Sequence, residues 1–153
     1  MTATGVLQRY KIKATAIFAS CLFALASCSY SDEEAIEQCA TDFAQNYFNL
    51  RYRQALRFCT PESEQWIRFK ATNISQDDLD IYNSQTDSAT CTIEQTTLED
   101  NFASATIKVC NFLNCDTIGK PATMCEEAIF LIALKKAGKK WMVDIQNPVK
   151  QRQ

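Results

Sequence analysis

The chain has 153 residues, a net charge of −2, three glycines and no histidine. The missing histidine excludes a Ser-His-Asp triad and any imidazole-held metal, and the scarcity of glycine excludes a phosphate-cradling loop. Lys135, Lys136, Lys139 and Lys140 straddle Ala137-Gly138 and read as a solvated hairpin tip, so no nucleic-acid partner is predicted.

Residues 1–13 carry Arg9, Lys11 and Lys13 and no acid, and residues 14–26 carry no charge at all. That apolar run fits the roughly 7–15 residues of a signal-peptide core and falls short of the roughly 20 needed to cross a bilayer. It ends in Leu25-Ala26-Ser27-Cys28, which resembles the bacterial lipoprotein box. The resemblance implies that the Cys28 thiol receives a diacylglycerol, that the chain is cut before it, and that the new amine is acylated. Small residues at Ala26 and Ser27 let a peptidase hold the backbone closely. Several acyl chains together make a stable membrane anchor. A plain secretory signal cleaved after Ser27 is the simpler alternative. Residues 1–27 are therefore expected to be a signal peptide and residues 28–31 a lipidated N-terminus and short tether. The expected location is the bacterial cell envelope, anchored in the outer membrane. Removing residues 1–27 leaves 126 residues with thirteen bases against eighteen acids, enough for one acidic domain.

Ser31-Asp32-Glu33-Glu34 reads as a helix start, with Ser31 as cap and Glu34 three residues on. An acidic run at this place also resembles the export signal of surface-exposed lipoproteins in some Gram-negative gut bacteria. A helix is predicted over 32–49, where Ile36, Cys39, Ala40, Phe43, Ala44 and Tyr47 form one apolar stripe at helical period. A short helix follows over 52–58. Thr60-Pro61-Glu62 opens a third, with Trp66, Ile67 and Phe69 on its apolar side. Residues 73–89 are polar and read as linker, with at most one helical turn at Leu79, Ile81 and Tyr82.

The period then changes to two. Cys91, Ile93 and Gln95 alternate with Thr92, Glu94 and Thr96. Asp100-Asn101 suits a tight turn, and Ala103, Ala105, Ile107 and Val109 line one face of the returning strand. Residues 116–124 read as a loop. Residues 128–134 are apolar on both faces, which predicts a central strand covered on both sides. Ala137-Gly138 turns the chain, Trp141, Val143 and Ile145 close the sheet, and residues 148–153 read as a frayed tail.

Helices followed by an antiparallel meander make an α+β arrangement. Its order resembles the cystatin-like, nuclear-transport-factor-2-like superfamily. The resemblance is carried by Phe43 with Tyr47-Phe48, by Arg53-Gln54-Ala55-Leu56, by Pro61-Glu62-Ser63 and by Lys139-Lys140-Trp141-Met142-Val143. It implies a single domain over 32–147 in which N-terminal helices pack on a curved antiparallel sheet shaped as a cone. Tyr47, Trp66, Leu131 and Trp141 are the candidate lining of that cone. The superfamily holds isomerases, dehydratases and pure binding modules, so the fold licenses no activity. Asp42, Tyr47, Tyr52 and Asp144 supply carboxylates and tyrosines, but no motif places them together. Asp77-Asp78 and Glu126-Glu127 read as solvated pairs. No catalytic residue, metal or cofactor is assigned. The expectation is a non-catalytic domain that binds a small ligand or an envelope protein. The alternatives are an isomerase- or dehydratase-like enzyme and a structural subunit of an envelope complex.

Cys21 leaves with the signal and Cys28 takes the lipid, so six cysteines remain. An even number in an exported chain implies disulfides, and the absence of histidine and of Cys-x-x-Cys argues against zinc. Cys115 with Cys125 is expected because the two flank a loop between pairing strands. Cys91 with Cys110 fits a two-residue turn at Asp100-Asn101, whereas matching Ile93 to Ile107 sets them on opposite faces. Cys39 with Cys59 requires the second helix to fold back along the first. Asp87-Ser88-Ala89 and Asp116-Thr117-Ile118 resemble acceptors for O-glycosylation of exported proteins, which makes Ser88 and Thr117 candidate sites.

Overall fold

The computed structural model describes residues 31–115 and 120–152. The readings at Cys28 and Thr117, with the signal peptide, lie outside the described residues.

Helix α1 (Asp32–Phe48) starts as its sequence dictates. The Ser31 hydroxyl accepts the Glu34 amide, and the Glu34 carboxylate accepts the Ser31 amide, both at 3.2 Å. Ile36, Cys39, Ala40, Phe43, Ala44, Tyr47 and Phe48 are its buried face. Each large apolar side chain so buried contributes roughly 1.5–3 kcal/mol. Leu50 then turns with a φ of 56°, and α2 (Tyr52–Ala55) folds back along α1. Two 3-10 turns, Leu56–Phe58 and Pro61–Ser63, lead to α3 (Glu64–Thr72).

The polar stretch read as linker holds a fourth helix, α4 (Gln76–Asn83). Ser75 and Asp78 form a second capping box, which gives a two-turn helix a defined start. Its far end is tied to α1 through buried Asn49. The Asn49 side chain donates to the Gln45 and Ala89 carbonyls and accepts the Ala89 amide, while the Tyr82 hydroxyl donates to Asn49.

Four antiparallel strands follow in sequence order: β1 (Thr90–Glu99), β2 (Phe102–Asn114), β3 (Thr123–Ala137) and β4 (Lys140–Val143). The architecture is α+β, helices packed on a curved antiparallel sheet. The inner face carries Ala103, Ala105, Ile107 and Val109 from β2 and Ala128, Phe130, Ile132 and Leu134 from β3, all buried against α1 and its neighbours.

The two signals that conflict in the first hairpin are both met. Glu99 faces Phe102, so the turn has two residues, yet Ile93 faces Ile107. A bulge between Ile93 and Gln95 absorbs the difference. Above the bulge Cys91 faces Val109 and Thr90 faces Cys110. Neighbouring residues of a strand point to opposite faces, so Cys91 turns inward and Cys110 outward. Their pairing is corrected on that ground.

Cys115 with Cys125 fails for a related reason. Cys125 faces Phe112, three positions short of Cys115, which is about 10 Å along a strand. The Cys125 thiol donates to the Glu127 carbonyl instead. Cys39 and Cys59 do meet in the core, because α2 folds back as that pairing requires. Both are thiols: Cys39 donates to the Phe58 carbonyl at 3.7 Å and Cys59 to the Ala55 carbonyl at 3.4 Å.

Two further expectations are corrected. The tail does not fray, since Gln151 bridges Phe130, the Arg152 amide donates to the Ile129 carbonyl, and Val149 packs on the core. Nor is β3 covered on both sides: Leu131 is 54% exposed on the outer face, beside exposed Ala133.

Candidate functional site

Tyr47 and Phe48 end α1, and Tyr52, Lys70, Phe112, Asn114, Phe130 and Val149 gather round them. This is where the interior would have to hold a ligand. It is full. Phe48 packs at a tilt against Phe130 with ring centroids 4.5 Å apart, and Phe112 meets both rings edge-on at 5.4 Å. Tyr47 is enclosed by Phe43, Phe48 and Tyr52 at 5.2–5.5 Å. The space left is about 20 Å³, room for one water and for no organic ligand.

Only Tyr47 of the four expected lining residues reaches this place. Trp66 packs on the outside of the core, and Leu131 lies on the outer sheet face. Trp141 belongs to a clasp at the start of α1. Its indole donates to Asp32 at 3.0 Å, and the Lys136 ammonium reaches the same carboxylate at 2.8 Å while lying 5.5 Å from the indole centroid. Lys136 first, then Trp141, holds the Asp32 carboxyl below its ordinary 3.8.

An acid–base pair of the expected kind needs a desolvated carboxylate beside a tyrosine. The nearest approach is Asp78, 5% exposed, whose charge acts on the half-buried Tyr52 phenol. Burial, then the charges of Cys115 and Asp78, pushes the phenol up. Asp78 itself is pulled the other way. The Ser75 amide at 2.8 Å and the Ala122 amide at 2.9 Å hold its carboxyl below 3.8. A carboxylate committed to two backbone amides fastens α4 to the chain entering β3; it is not poised to move a proton. Asp144, the other acid considered, accepts the Thr60 hydroxyl at 3.0 Å within a structural cluster. There Ser63, fully buried, accepts the Ile145 amide at 2.8 Å and lies 3.2 Å from the Val143 carbonyl.

The three inward thiols are equally quiet. Burial raises Cys39 to about 11, and burial with a neighbouring thiol raises Cys59 and Cys91 to about 12. Such thiols are protonated and unreactive near neutral pH. Among the described residues, no group of three or more Cys, Asp or Glu is placed to hold a metal, and no helix is long and apolar enough to cross a membrane. Ser88 is exposed, while Ala89 beside it is buried and held by Asn49 and Gln45.

The feature that the sequence reading missed is an edge of the sheet. No residue of β1 is buried, and among the described residues no backbone hydrogen bond reaches its outer side. The signal was present in Thr90–Glu99, a polar strand with threonine at four of its ten positions, but alternation alone does not say which strand lies outermost.

No family model matches the chain, and no curated protein is similar to it. Among solved structures it is similar to an "Ntf2 like protein involved in plasmid conjugation", at 12% identity and a TM-score of 0.36. The match covers 80% of this chain and 49% of that one, so the chain spans about half of that protein's length. The fold class rests on the elements and register above.

Proposed function

We propose that this protein is a non-catalytic interaction domain of the bacterial cell envelope, anchored in the outer membrane through a lipidated Cys28. The observation that carries the non-catalytic reading is the interior packed by Phe48, Phe112 and Phe130, with space for one water. A ligand or partner then has to be met on the outside. Native mass spectrometry of the protein from its own membranes tests this. The expected mass is that of the acylated chain alone; a stoichiometric small molecule retained by the fold would sink the reading.

The anchor has a separate test. Cys28→Ser should abolish acyl labelling and release the protein from the detergent phase. Acyl label persisting on the variant would show that Leu25-Ala26-Ser27-Cys28 is not the lipidation signal. Surface exposure, proposed from Asp32-Glu33-Glu34, predicts digestion of the domain by protease added to intact cells. Ser88 is supported as a glycan acceptor by its exposure, and Thr117 is proposed on its motif alone. Of the disulfides, Cys39 with Cys59 remains a proposal, drawn from α2 folding back along α1 so that both residues lie in the core. Non-reduced peptide mapping tests it.

A second reading, a structural subunit of an envelope complex, draws on the outer sheet face. There Phe102 is 58% exposed and Leu131 54% exposed. Loss of a large complex from membranes that lack the protein would favour this reading over the first.

A further inference from the structure

Natural sheets blunt their edges with short strands, lysine, proline or a covering element. The edge formed by β1 has one other blunting device, the bulge between Ile93 and Gln95, and none of these. It is ten residues long, contains no lysine and no proline, and bears Thr, Ile and Leu on an exposed ladder. In a two-residue hairpin the closing pair exchanges backbone hydrogen bonds, so Glu99, Gln95 and Thr97 turn theirs toward β2. Thr96 and Leu98 turn theirs outward.

Charge narrows what can fill that ladder. Residues 71–107 contain seven acids and no lysine or arginine. Glu94, Glu99 and Asp100 lie on or beside β1, and all three are exposed. A second copy of β1 would set these acids along one ladder with their like, which is destabilising. A basic strand would not meet that repulsion.

We propose that the outer edge of β1 is a docking site for an extended, lysine- or arginine-bearing segment of another protein, which adds to the sheet as a fifth strand beside Thr90–Glu99. Backbone hydrogen bonds supply the attachment, and the acids select the partner's charge. The inference rests on the interaction-domain reading and gives it a place and a partner chemistry.

The test uses the full chain in detergent micelles and two synthetic ten-residue peptides, alternating Val with Lys and Val with Glu. The Lys peptide should bind saturably, slow amide exchange in β1, and weaken as salt is raised; the Glu peptide should not bind. Glu94→Lys with Glu99→Lys should reduce Lys-peptide affinity at least about tenfold. Thr96→Pro, at an amide facing solvent, should abolish protection of β1 while leaving the melting transition in place. The proposal is overturned if neither peptide protects β1, if the Lys peptide protects another element, or if the charge-reversed protein binds it as well as the original. This failure is separable from failure of the functional reading. A retained small molecule in the mass spectrum strikes the interaction domain, whereas an unprotected β1 strikes only the edge.

Discussion

The two edges of the sheet are finished in opposite ways. Beyond β3, the short β4 is followed by a tail that returns to Phe130 and Ile129, and Cys59 bridges Val143. Ser63 and Thr60 lock the same corner through the Val143 carbonyl and the Ile145 amide. That edge is spent on the molecule itself. Among the described residues, no backbone hydrogen bond is set against the outer side of β1. A strand that the fold needs for its own closure is surrounded by buried partners. A strand whose outer side the fold does not use is polar, exposed and acidic. The difference teaches which edge the fold needs for its own stability and which it does not.

The comparison breaks most visibly at Phe130, which lies in the three-ring cluster and pairs with Gln151. Phe130→Ala should cost about 3–5 kcal/mol, read as a lower urea midpoint, because the interior cannot close over the lost ring. Ser63→Ala leaves the buried Ile145 amide without its acceptor and should cost about 1–3 kcal/mol in the same assay. Deleting residues 148–153 should cost about 1–2 kcal/mol through lost packing of Val149 and loss of the Arg152–Ile129 backbone bond; a tail that merely frays would cost nothing.

Acid provides a smaller effect at the corner where α1 begins. The Asp32 carboxyl is lower in the folded chain than in the unfolded one. Its contribution is therefore complete above the ordinary 3.8 and fades as pH falls through the lower folded value. Asp32→Asn should flatten that limb of the stability–pH curve, measured by urea titration between pH 6 and pH 2. The least effect belongs to the open edge. Leu98→Thr there should shift stability by no more than about 0.5 kcal/mol, since Leu98 is 48% exposed and supports no closure.

Much of this was legible because it was local. The Ser31–Glu34 capping pair, the α1 stripe and the alternation of β2 each follow from spacing within one element. The second capping box was legible too, as Ser75 and Asp78 three residues apart, but the polar residues around it hid the signal. The filled interior was not legible: Phe48, Phe112 and Phe130 are far apart in sequence, and only the closed sheet brings their rings together. The Cys91–Cys110 reading failed where one residue of register decides the face. Counting from the turn and matching Ile93 to Ile107 were both sound, and the bulge that reconciles them carries no turn residue to announce it. The tail deceived for another reason. Lys150, Gln151 and Arg152 have no strand pattern of their own, and they pair because β3 extends beyond the reach of β4.

The bulge at Glu94 has a consequence for self-association. Deleting Glu94 would leave every flanking pair in place and straighten β1 into an even nine-residue ladder. A straight, threonine-rich edge of that length is a template on which one molecule after another can stack without limit. The extra residue bends the ladder where such growth would begin and plants a negative charge there. Glu94 thus sits where a gatekeeper against stacking of one copy on another would sit, with a short stretch of unbent edge on either side.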